Sequence, residues 1–332
     1  MRHLLRRILF YIAAVWASAT MNFFIPRMAP GDPVQSVLGK LQRSGVAISP
    51  ETVKALATSL GLHSTDPIWV QYVKYLNDIL HGDFGRSFTN YPTPVMEVIG
   101  QGIGWTIGLG VISVIIGFVL GCLIGLVTAW RRGTALDSIL SPAITFFYAV
   151  PPFWLALLVV YVFGFTLGWF PLADGYNTYM DITFSWDFLS SVVYHGFLPA
   201  LTLVVSSLAG WMLVMRNSMV GVLSDDYVLM GRAKGLKQSR ILFVYAARNA
   251  ILPNIANFAL ALGFVVSGQV LTEIVFSYPG IGFTLFQGVT NHDYPLIQAA
   301  FLIIALGVLG ANFLADLLYA VLDPRVRVER SA

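Results

Sequence analysis

From residue 102 to 130 no charged side chain interrupts the chain. A helix of that length can cross the ~30 Å hydrocarbon core of a bilayer, and a block this apolar has few other homes. Comparable blocks follow at 136–170, 197–216, 253–274 and 296–320, and a mostly apolar run opens the chain up to Pro26. Composition agrees: 57% of the 332 residues are hydrophobic and 11% are charged, where a soluble domain carries about 25% charge. The expected fold class is therefore all-α: a polytopic membrane protein with six transmembrane helices.

The opening residues have a basic start (Arg2, Arg6, Arg7) and an Ala17-Ser18-Ala19 that mimics a signal-peptide cleavage site. The apolar run continues past that point, so residues 1–27 are read as a retained first transmembrane helix. Residues 28–100 are polar enough to form an extracytoplasmic lobe. Two short helices are legible in it. Ser49-Pro50-Glu51 supplies a cap, a proline at the first helical position and an early acid, with Gly61 as the stop; Asp66-Pro67 opens the second, which stops near Gly82. Residues 101–332 make a five-helix core. Its 136–170 block would reach about 52 Å as one helix, too long for the bilayer, and Pro151-Pro152 should break it.

Charge placement sets the orientation. Of the 20 Lys and Arg, 14 fall at the start, at 131–132, in 216–248 and at 325–330. The loops 171–195 and 276–294 contain neither residue. The positive-inside rule then predicts a multi-pass protein of the cell (inner) membrane, in contact with lipid, with both termini in the cytoplasm. The net charge of +3 does not suggest nucleic acid as a partner. The five histidines lack metal-site spacing, and the single Cys122 cannot form an internal disulfide. Glycines four apart (Gly100, Gly104, Gly108, then Gly117, Gly121, Gly125) read as helix-packing positions.

The motifs of bond chemistry are missing. There is no G-x-x-x-x-G-K-[ST], no G-x-S-x-G and no H-E-x-x-H. The acids read as lying in spans are Glu273, at the outer end of the fifth, and Asp316, in the sixth. An intramembrane carboxylate is a functional candidate, although packing at a helix end explains each as well. Trp154 and Tyr161, with Trp169, lie on the broken third span and could line a cavity; lipid-facing or interfacial placement is the plain alternative.

The informative segment is the expected cytoplasmic loop 221–252. Ser224 can cap a helix, Asp225 and Asp226 suit its positive end, and Gly235 can end it in a left-handed conformation. A second helix then leads to Pro253 and the fifth span. The result is a short helix lying along the membrane surface, able to act as a lever if another protein grips it. A solvated basic connector is the bland alternative.

The segment Asp226-Tyr227, Arg232-Ala233-Lys234-Gly235-Leu236 and Arg248-Asn249-Ala250-Ile251-Leu252-Pro253 resembles the coupling loop of binding-protein-dependent ABC permeases. Specifically it is similar to the oligopeptide/dipeptide/nickel permease family, B-type subunit. Further matches follow in family order: Pro30-Gly31-Asp32-Pro33, Gly82-Asp83-Phe84-Gly85, Leu271-Thr272-Glu273, Pro279-Gly280, Asp293-Tyr294-Pro295 and Asp323-Pro324-Arg325. One departure is that Leu229, Met230 and Gly231 stand where the general motif has an acid and two alanines. The resemblance implies a type I ABC importer permease fold and no enzyme activity in this chain. It implies four kinds of partner: a second homologous permease subunit, two cytoplasmic ATPase subunits, an external solute-binding protein, and ATP with Mg bound by the ATPases. It implies that Asp226, Arg232, Ala233, Lys234, Gly235 and Leu236 meet an ATPase. Oligopeptides are the expected solute, with oligosaccharides such as cello-oligosaccharides second; a membrane enzyme or channel is the reading from a different class.

Overall fold

The computed structural model describes residues 2–28, 67–265 and 269–322. Apart from one isolated bridge, Arg86 to Pro94, the regular structure of these residues is helical. The helix expected after Ser49, the Pro30–Pro33 motif and Asp323-Pro324-Arg325 lie outside the described residues. The chain divides into two compact units, the first formed by 1–106, 266–270 and 279–332, the second by 107–265 and 271–278.

In the first unit, α1 (Arg2–Met28) packs along α12 (Tyr294–Leu322), with Tyr11 edge-on to Phe313 at 5.3 Å. The helix predicted after Asp66-Pro67 forms as α2 (Ile68–Leu80). It ends as its sequence dictates: Gly82 has φ +73°, and the amides of Gly82 and Asp83 close back onto the carbonyls of Ile79 and Asp78. α2 leans on α1 through Tyr72, whose hydroxyl meets Thr20 Oγ1 at 2.7 Å and whose ring meets Phe23 at 5.3 Å. The core of this unit gathers Val95 and Ile99 from the start of α3 (Val95–Trp130), Ile281 and Leu285 from α11 (Ile281–Thr290), and Leu296, Ala299 and Ala300 from α12.

Asp293 pins the unit together. Its side chain is fully buried and accepts from Ser87 Oγ at 2.6 Å, Thr89 N at 2.7 Å and Leu296 N at 3.2 Å. One carboxylate thus caps α12 and holds the 83–94 segment against it.

In the second unit, α3 continues and is followed by α4 (Ala135–Ala149) and α5 (Pro152–Val159), which runs on as a π-helix, Val160–Thr166. The predicted break falls at Pro151-Pro152 and bends the span by 100°. Next come α6 (Trp186–Val222), α7 (Asp226–Ala233), and α8, which begins as Gln238–Arg240, passes through the π-turn Ile241–Ala247 and closes as Arg248–Ala250. α9 (Leu252–Phe264) and α10 (Val270–Val275, of which 271–275 belong to this unit) complete the described helices. α6 is longer than its expected 197–216, because Ser185 caps it early by accepting from Phe188 N.

The glycine series splits in two. A Cβ on Gly121 would come within 2.4 Å of Trp211 Cβ, and one on Gly125 within 2.4 Å of the Met212 carbonyl oxygen, so this stretch of α3 presses directly on α6. A Cβ added to Gly100, Gly104 or Gly108 would meet nothing within 4 Å. Beside the packed stretch, Asn254 Nδ2 donates to Cys122 Sγ and to the Trp211 carbonyl, both at 3.1 Å.

By length and composition four described helices can cross a membrane, and five if the bent α4–α5 pair counts as one span. The expected fifth span, 253–274, is divided between α9 and α10. α9, with 13 residues, is roughly 20 Å long, short of the hydrocarbon thickness.

Candidate functional site

The loop 221–252 is built in three steps, all within the second unit. α6 ends first: Leu223 N donates to the Met219 carbonyl at 2.9 Å, and Ser224 Oγ donates to the Gly221 carbonyl at 2.6 Å. This corrects the expectation that Ser224 caps the next helix. Its hydroxyl completes the preceding helix, and Asp225 occupies the cap position of α7, with Val228 N and Leu229 N bonding its backbone carbonyl. Asp225 and Asp226 still place negative charge at the helix start, where the exposed amides favour it.

α7 then ends at Gly235 as the sequence predicts. Gly235 has φ +71°. Its amide bonds the Arg232 carbonyl at 2.9 Å, and the Leu236 amide bonds the Gly231 carbonyl at 3.2 Å. These two bonds define a left-handed helix stop that a glycine adopts at no steric cost. Leu236 folds back beside Gly231, where even an added Cβ would keep 3.6 Å from its Cδ1. An alanine at 231 would therefore fit without displacing Leu236.

α8 finally holds α7 in place. Val228 of α7 and Ile241 of α8 are buried, and Ala246 and Ala250 of α8 join the core of Cys122, Leu126, Met215 and Met219. Asn249 Nδ2 donates to Tyr227 Oη at 2.8 Å and to the Tyr245 carbonyl at 3.3 Å. The outcome is a short helix with one buried face, tied to α8. The opposite face leaves Asp226, Leu229, Met230, Arg232, Ala233, Lys234 and Gly235 exposed, while Leu236 is half-buried. A cleft of ≈ 510 Å³ lies beside it, lined by Trp130, Leu223, Arg232, Leu236, Gln238 and Ile241. Exposed methionine and leucine between a cation pair and an acid suit a protein contact more than a solvated connector.

Three of the four pathway candidates, Trp154, Tyr161 and Glu273, belong to the second unit. Trp154 on α5 and Tyr161 on its π-helical extension are exposed, and Tyr161 stacks on Phe165 with centroids 5.9 Å apart. Glu273 on α10 is buried at 1% exposure. Burial pushes the Tyr278 phenol above its usual range, and the negative charge of Glu273 adds to that shift. Asp316 lies on α12, and its side chain is outside the described residues.

Sequence reasoning missed one acid at the start of the third span. Asp137 on α4 is 7% exposed and forms a two-point ion pair with Arg216 of α6, Nε to Oδ1 at 3.1 Å and Nη2 to Oδ2 at 3.0 Å. Its signal was present: a lone carboxylate beginning an apolar block needs a partner, and Arg216 is the charge at the end of another.

Comparison with known proteins covers the whole described frame. The model of the binding-protein-dependent transport system inner membrane component matches residues 117–328, and the model of the N-terminal part of the same kind of membrane component matches residues 1–116. The chain is 33% identical over 326 residues to the oligopeptide transport system permease protein AppB of Bacillus subtilis (strain 168), covering 98% of each. It is 32% identical to the dipeptide transport system permease protein DppB of Alkalihalophilus pseudofirmus, covering 97% of this chain and 98% of that one. With the DppB protein of Escherichia coli (strain K12) it shares 31% identity, covering 98% and 99%. Matches of this length, together with the run of apolar helices, identify the molecule as a multi-pass membrane protein, and the chain belongs to the family of binding-protein-dependent transport system inner membrane components.

Proposed function

We propose that this chain is the B-type permease subunit of an ATP-driven peptide importer, and that its exposed α7 is the surface an ATPase subunit grips. One observation carries the reading: α7 is closed at Gly235, tied to α8 through Tyr227 and Asn249, and still presents Arg232, Lys234, Leu229 and Met230 outward. A lever must be rigid within itself and free on the face that is pushed. The complex would contain a second homologous permease chain, two ATPase subunits carrying ATP and Mg, and an external solute-binding protein. Both termini and α7 would lie in the cytoplasm of a cell with this chain in its inner membrane, and the 67–94 segment outside. Closing of the ATPases would move α7 and switch the spans between two packings.

The peptide assignment rests on the relatives, whose printed names are oligopeptide and dipeptide permeases; the oligosaccharide alternative finds no support among them. The test is uptake of labelled tripeptide and labelled cellotriose by cells with the full transporter and by cells lacking this chain. Loss of tripeptide uptake alone is expected. Loss of cellotriose uptake with peptide uptake intact would overturn the substrate and leave the permease role standing. Absence of any ATPase subunit from the purified complex would overturn the importer reading itself.

A further inference from the structure

Both carboxylate oxygens of Asp137 are engaged in the second unit. Asp137 Oδ1 accepts from Arg216 Nε at 3.1 Å and Ser141 Oγ at 2.9 Å; Oδ2 accepts from Arg216 Nη2 at 3.0 Å and Gly133 N at 3.3 Å. The Arg216 side chain is 23% exposed and the Asp137 side chain 9%. A guanidinium and a carboxylate meeting in parallel hold a fixed angle as well as a distance, which a lysine cannot do.

The two residues join the elements that matter for force transfer. Arg216 lies less than two turns before α6 ends at Val222, and α7 starts at Asp226. Asp137 lies in the first turn of α4, the lower half of the span that bends by 100° at Pro151. Two turns further along, Ile144 of α4 packs against Ala209 and Met212 of α6. The two helices are therefore matched along an apolar seam and locked at the end nearest α7. The same turn of α6 is pressed by Gly125 of α3, where an added Cβ would come within 3.1 Å of Arg216 N. This leaves Arg216 little freedom to slide.

We propose that Asp137 and Arg216 are positioning residues that carry displacement of α7 through the end of α6 into α4, and so into the bent third span. The proposal rests on the reading of α7 as the ATPase contact. Without the clamp, α7 moves under ATP hydrolysis while α4 lags, so hydrolysis continues and transport falls.

The experiment uses the full complex in proteoliposomes with its binding protein and labelled tripeptide. D137N, R216Q, the double variant and R216K are each scored for assembled ATPase subunits and for ATP hydrolysed per tripeptide taken up. Each single variant is expected to raise that ratio about tenfold, within the usual range for energetic coupling between two sites. The double variant should be no worse than the singles, and R216K, which keeps the charge and loses the fork, should fall between. A wild-type ratio in the assembled single variants, or an additive loss in the double, overturns the proposal. Failure of all four to assemble also overturns it, in favour of a role in folding alone. If wild-type complex itself shows no coupled uptake, the importer reading fails instead, which separates the two.

Discussion

Replacing Gly125 with alanine and Gly104 with alanine should have opposite effects, although both glycines lie on one helix in runs of the same four-residue spacing. The Gly125 Cβ would be placed 2.4 Å from the Met212 carbonyl oxygen and 2.8 Å from Met215 Cβ. Ordinary contacts lie near 3.5 Å or beyond, so α3 and α6 must part by roughly 1 Å. The atoms met are backbone and a β-carbon, which cannot rotate away. Overpacking of this kind costs about 1–3 kcal/mol, offset by ~0.8 kcal/mol for the better helix propensity of alanine. G125A should therefore lose up to about 2 kcal/mol. Gly104 is exposed with nothing within 4 Å, so G104A keeps the propensity gain of ~0.5–1 kcal/mol. The assay is unfolding of the isolated chain in lipid nanodiscs by added detergent, followed by tryptophan fluorescence. A separation of about 2 kcal/mol between the two variants is expected. Equal midpoints, or a more stable G125A, would refute the close approach of α3 to α6.

Gly235→Val should place a β-branched residue at φ +71°, costing about 1–3 kcal/mol of local strain; transport should stop while the chain still inserts, and G235N, which tolerates that conformation, should retain most activity. Full transport by a normally expressed G235V would sink the lever reading. Asp293→Ala leaves the buried donors Ser87 Oγ and Leu296 N, and the part-buried Thr89 N, without their acceptor, at about 1–3 kcal/mol for each buried group left unpaired. Limited proteolysis should then cut within 83–94, and an unchanged digestion pattern would contradict the pinning role. Single cysteines at Asn90 and Ser239, both exposed, in a chain whose Cys122 is replaced, should label from opposite faces of intact cells and inverted vesicles; labelling from the same face would reject the topology.

Local punctuation in the sequence was read well because its physics is local. Asp66-Pro67 and Gly82 bracket α2, Pro151-Pro152 breaks the third span, and Gly235 takes a positive φ. Each rests on a residue whose backbone preference outweighs its surroundings. Ser224 was assigned to the wrong helix because a hydroxyl between two helices can serve either, and here it donates to the Gly221 carbonyl. The glycine series was legible as packing but not as half packed, since a helix apolar all round carries no mark of which face meets a neighbour. The contacts of Asp137 with Arg216 and of Asp293 with Ser87 join residues 79 and 206 positions apart. No periodicity spans such distances; only the cost of an unpaired carboxylate among apolar helices hints that a partner exists.

The use made of those carboxylates bears on what the chain does. Asp293 has its oxygens occupied by three donors and Asp137 by four. An acid held this way has its lone pairs directed at fixed partners, which suits a joint and ill suits a proton carrier that must exchange partners in each cycle. Both joints sit where a helix end meets another segment: Asp293 at the start of α12, Asp137 at the start of α4. The exposed cations on α7 differ, since Arg232 and Lys234 sit in solvent on a helix whose other face is fixed. Polar residues thus divide between those that lock helix ends and those left outward on α7. That division fits a chain that transmits motion generated elsewhere. It also explains why a coupling variant at α7 and a clamp variant at Asp137 should look alike in transport and differ in assembly: the first weakens the grip of the ATPase, and the second leaves the grip intact while the motion is lost within the chain.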